Sequence, residues 1–333
     1  GIVSGNLSIF HSFTTIGITL LSASLVCLWS PALTILKSKS ENGKKVGPFS
    51  SAMGLFLPFI GIITIICWAL RKELDGALDL SEHLLFELFF PLALVSIIIS
   101  HINRRLDWQI IKSENTGKVF GIYASLLILA ILSKSLHNAD DLSSRVSALL
   151  QLLPYLFIFI MLKPIKIISQ IRNEKPYNKM VVAAVFWLPV VGIAAYLEMM
   201  KYVQTTDAMM SFYRWILMFG TAFQVFWGFT AYLHEDHKKT SLKGRKTQWF
   251  SLLTVNLGTL IIVYALLVSW QTGQTQDSVT RIGIAIFAIT YFSITVYWIK
   301  ETFICLYTWH KIPMFYDQYL AYPDQGSGYI DEN

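Results

Sequence analysis

The chain has 333 residues, 54% hydrophobic and 14% charged, with a mean hydropathy of +0.52. Soluble domains carry about 25% charged residues, and even large ones leave much of their surface in water, so this composition excludes an ordinary soluble globular protein. The net charge of +6 would raise nucleic-acid binding in a soluble protein. Its placement between apolar segments explains it better, and no nucleic-acid partner is expected.

The sequence predicts an all-α integral membrane protein, a polytopic bundle of about nine transmembrane helices. A helix crossing a hydrocarbon core of about 30 Å needs roughly 20 mostly apolar residues. The first such segment, 9–36, is long and carries His11, Thr15, Thr19 and Ser22 on one helical face. Such a polar stripe lines a cavity or bonds a neighbouring helix. The second segment is 51–70. The third, 82–100, holds Glu87 about two turns in, with His83 four residues earlier on the same face. An ionisable residue inside a span is expensive, and a carboxylate beside an imidazole can relay a proton or help bind a cation.

The fourth segment, 119–133, is short, and the fifth, 146–162, contains Pro154. The sixth, 180–198, contains Pro189 and closes on Glu198. The seventh, 211–233, places Arg214 on the same side, where an Arg–Glu contact or an anion-binding arginine is expected. Gln224 lies near its middle, and Asn256 lies near the middle of the eighth segment, 249–270. Uncharged amides at that depth cross-link helices or contact a substrate. The ninth segment is 282–305. Residues 1–310 thus read as one transmembrane domain and 311–333 as an irregular tail.

Lys and Arg alternate between the connections. Residues 37–50, 101–118, 163–179 and 234–248 carry eighteen together, while 71–82, 134–145, 199–210 and 271–281 carry six. Cytoplasmic loops accumulate positive charge, so the rich connections are expected inside, the N-terminus outside and the tail in the cytoplasm. The basic face is expected to meet anionic lipids. A plasma or inner membrane is the expected location.

Chemical motifs are lacking. No HExxH, GxSxG or GxxxxGK[ST] pattern occurs, and nothing identifies a cofactor or a metal. Cys27, Cys67 and Cys305 are far apart in the sequence and read as small buried hydrophobes. The kinking prolines and the ionisable set in the outer half point to a membrane transporter or channel for a small solute or ion. The alternatives are a non-catalytic transmembrane subunit of a larger complex, such as an energy-converting or export assembly, or a membrane sensor or receptor, and the expected protein partners are other membrane subunits or further copies of the chain in a homo-oligomer.

Overall fold

The computed structural model describes residues 83–106, 108, 110–135, 141–203, 211–229, 231 and 245–308, with a few isolated positions between 62 and 70. The first predicted span with its stripe from His11 to Ser22, most of the second, and the tail 311–333 lie outside the described residues. The chain divides into two compact units, 1–93 with 318–333, and 94–317.

The described residues are overwhelmingly helical and contain no strand. Helix α1, Phe90–Ser100, is flanked by π-helical turns Leu84–Phe89 and His101–Arg105. Pro91 has no N–H to give the carbonyl of Glu87, and the backbone before it takes the wider π register. The Asn103 side chain then clamps the following loop. Its amide donates to Ile111 O at 2.7 Å and accepts from Ile111 N at 3.2 Å.

Helix α2 is Ser113–Ser135 and α3 is Asp141–Met161. A left-handed Lys163 (φ 49°) turns the chain into the short α4, Pro164–Gln170, and a 3₁₀ turn, Ile171–Asn173. Helix α5, Pro176–Met199, begins on a proline, which suits a first-turn position whose N–H would have no partner. Helix α6, Phe212–Trp215, runs directly into a π-helical segment, Ile216–Phe223. Helices α7, Arg245–Thr272, and α8, Asp277–Thr308, are joined by a tight turn through Gly273 at φ +68°.

Among the described residues, five helical segments are long and apolar enough to cross a membrane: Phe86–Asn103, Asn115–Lys134, Leu142–Met161, Pro176–Met199 and Gln248–Thr272. They coincide with the third, fourth, fifth, sixth and eighth predicted spans. The seventh falls on α6 and its π segment, and the ninth on α8. The fourth is not short. Its polar first turns, which the apolar run omits, are helical, and the Thr116 hydroxyl donates back to Lys112 O at 3.2 Å.

In the second unit, α5 is the hub. It packs against α3, α6 with its π segment, and α7, while α2 lies on α3 and α8 on α7. Within their span windows α5 is 61% buried, but α2 and α7 are each 39% and α3 is 33%. The uncovered faces are still apolar, with Leu129, Leu149, Leu153, Leu257 and Leu260 exposed. A helix apolar on both its buried and its open face suits a hydrocarbon surround.

Hydrophobicity does not drive helices together within lipid, so close backbone approach and polar cross-links must. Helices α7 and α8 use glycine for this. A Cβ on Gly258 would lie 3.1 Å from Gly283 O, and one on Gly283 would lie 2.9 Å from Gly258 O. The Phe219 and Phe287 rings stack at 3.6 Å between centroids, joining the π segment to α8.

Candidate functional site

Four polar constellations interrupt the apolar helices among the described residues. The first is His83 with Glu87, on the π-helical turn before α1. His83 Nδ1 lies 2.8 Å from Glu87 Oε1, and the side chains are 35% and 6% exposed. The two atoms share one hydrogen bond, and the imidazole tautomer sets which of them donates. The pair therefore links a partly open imidazole to a buried acid.

The second constellation joins three helices at mid-depth. Gln224 and Asn256 form a reciprocal amide pair. Gln224 Nε2 donates to Asn256 Oδ1, and Asn256 Nδ2 donates to Gln224 Oε1, each at 3.2 Å. Trp187 Nε1 donates to Asn256 Oδ1 at 2.7 Å. The second amide hydrogens reach Gly220 O at 2.9 Å and Leu252 O at 2.6 Å. Asn256 thus uses both donors and both acceptor sites of its amide. In this conformation it ties α5, α7 and the stretch after the π segment together and has no hydrogen-bonding capacity left for a solute.

The third lies where α5 meets α6. Glu198 Oε2 accepts from Ser211 Oγ at 2.8 Å, and Oε1 accepts from Tyr213 N at 3.0 Å. Ser211 Oγ also accepts from Arg214 N at 3.4 Å. The carboxylate therefore sits over the first amides of α6, where orphan N–H groups and the positive end of the helix dipole favour it. Arg214 is linked to Glu198 through its own backbone and Ser211. Tyr213 carries the cluster further, with its hydroxyl 3.2 Å from the Tyr155 hydroxyl on α3. Tyr123 on α2 is fully buried.

A fourth constellation was not anticipated from the sequence. His101 is fully buried, and its Nε2–H donates to Asn178 Oδ1 at 3.0 Å. Asn178 Nδ2 donates to Glu174 Oε2 at 2.7 Å. The Phe229 ring meets the imidazole edge-on at 6.0 Å between centroids. The only sequence signal was local: Glu174 and Asn178 stand four apart across the start of α5.

Among the described residues, no three His, Cys, Asp or Glu side chains converge as a metal site would require. No family model matches the chain, and no curated protein or solved structure matches it either.

Proposed function

We propose that the protein is a polytopic membrane transporter or channel for a small solute or ion, with nine spans, the N-terminus outside and the C-terminus cytoplasmic. The His83–Glu87 pair carries this reading. It places an acid, 6% exposed, in an apolar helix and connects it to an imidazole that is 35% exposed. Burying a carboxylate in a membrane segment is costly, and such groups mark ion and proton pathways. A carboxylate bonded to an imidazole can pass a proton or hold a cation between a wetter and a drier environment. The π-helical turn beneath it supports the same reading, because π turns recur at functional sites. The alternation of eighteen basic residues against six supports the orientation.

The test is flux through the purified full chain in liposomes, measured over a solute panel and with an internal pH dye. Glu87→Gln is expected to slow transport roughly tenfold, the effect of about 1.4 kcal/mol on a rate, while the protein stays monodisperse. Unchanged flux in Glu87→Gln would remove the pair from the pathway, and no flux across the panel would end the transport reading.

A second reading, a non-catalytic transmembrane subunit of a larger complex, is favoured by the saturated amide at Asn256, which offers a solute nothing at mid-depth. Stoichiometric partners recovered in mild detergent would select it.

A further inference from the structure

Between α3 and α5 the chain neither re-enters the bundle at once nor loops freely. Lys163, in the left-handed region, turns it sharply, and Pro164 starts α4. One side chain fastens this helix inward: Ile167 is fully buried. Lys166 fastens it again, its Nζ donating to Trp108 O at 3.1 Å. The opposite side is apolar and open, with Ile165 85% and Ile168 57% exposed. In water, two such isoleucines on a helix of only seven residues would be an unrelieved cost.

Charge surrounds them. Residues 163–179 hold five Lys or Arg and a single acid, Glu174. That acid accepts a hydrogen bond from Asn178. Lys163, Arg172 and Lys175 are exposed, and so is Lys246 at the start of α7. Lys179 Nζ lies 5.2 Å from the centroid of the Trp249 ring, which ties the start of α5 to α7 at this same end.

We infer that α4 is an interfacial helix that docks anionic phospholipid, with Ile165 and Ile168 seated among the upper acyl chains and Lys163 and Arg172 on the headgroup phosphates. The inference rests on the membrane reading of the bundle. A free anion would satisfy the cations and leave the isoleucines in water. A lipid surface covers both, because it places apolar chains and negative charge within one short helix's reach, the arrangement interfacial helices use.

The full chain in nanodiscs of phosphatidylcholine, with or without phosphatidylglycerol, tests this by hydrogen–deuterium exchange over residues 164–173. Exchange there is expected to slow roughly tenfold when phosphatidylglycerol is present. Each basic residue contributes roughly fivefold to anionic-lipid affinity, so Lys163→Gln with Arg172→Gln should abolish that lipid-dependent part. Ile165→Ser with Ile168→Ser should speed exchange in both lipids. The interior amides of α5 report in every variant that the bundle is folded.

Equal exchange in the two lipids overturns the inference and leaves the transport reading untouched. Equal protection by inorganic phosphate in phosphatidylcholine discs also overturns it, in favour of a free anion. A chain that does not incorporate into discs at all overturns the membrane reading itself.

Discussion

Gly228→Ala is expected to pry the helical stretch after the π segment away from α5 and to destabilise the purified chain by about 3 kcal/mol, at the top of the usual range for overpacking. The reason is what a methyl group would meet. It would press on Tyr177 O and lie 2.7 Å from Val181 Cγ2 and 3.2 Å from Val181 N. Two of these are backbone atoms of α5's opening turns, so no rotamer change relieves the clash. The strain would spread to the neighbouring Asn178–His101 bond and the Phe229 contact on that imidazole. Gly121→Ala is the internal control. Nothing lies within 4 Å of its Cβ position, it is exposed and it is helical. Alanine there is expected to be neutral or to stabilise by up to about 1 kcal/mol. Thermal midpoints of both variants in one detergent decide the matter, and equal midpoints would show that packing at Gly228 does not limit stability.

Asn256→Leu is expected to cost about 2–3 kcal/mol, because it strands polar groups on two other helices. Trp187 Nε1 would lose its acceptor, and Gln224 would lose both partners across the interface. A single interhelical hydrogen bond in a membrane protein is worth only about 0.6 kcal/mol on average. The expected loss is larger because the orphaned groups are the cost, not the bond alone. The double variant Asn256→Leu with Gln224→Leu should therefore recover part of the loss, since one of the two orphaned groups is removed. A double variant whose loss equals the sum of the singles would mean that the amides do not act as a pair.

Local features of this fold could be read from the sequence, and contacts between distant residues could not. Apolar runs located the helices at Phe86–Asn103, Leu142–Met161, Pro176–Met199 and Gln248–Thr272, because a long run of apolar side chains is a local property. The start of α2 was missed because its polar first turn carries no hydropathy signal. The π turns were also invisible. They change the hydrogen-bond register and leave the apolar pattern unaltered, and only Pro91 hints at the first of them.

The site divides in the same way. His83 with Glu87 was legible because the partners stand four apart on one helix. Gln224 and Asn256 were each recognisable as amides in apolar segments, but their pairing spans 32 positions and needed the packing of two helices. For Glu198, formal charge suggested Arg214 as the partner. The structure also gives it Ser211 and the Tyr213 amide, because the start of a helix supplies donors that no residue type advertises. His101 follows directly on the third predicted span, and nothing local marks its partner Asn178, which lies 77 positions away.

The proposed arrangement in the membrane stands or falls on which end of the bundle faces the cytoplasm. Ser169 on α4 and Gln274 in the α7–α8 turn are both exposed. With Cys27, Cys67 and Cys305 replaced by alanine, Ser169→Cys and Gln274→Cys can be probed singly with a membrane-impermeant maleimide on intact cells. Gln274→Cys is expected to label at once, and Ser169→Cys only after permeabilisation. Labelling of Ser169→Cys in intact cells, or of both positions from the same side, would contradict the proposed arrangement.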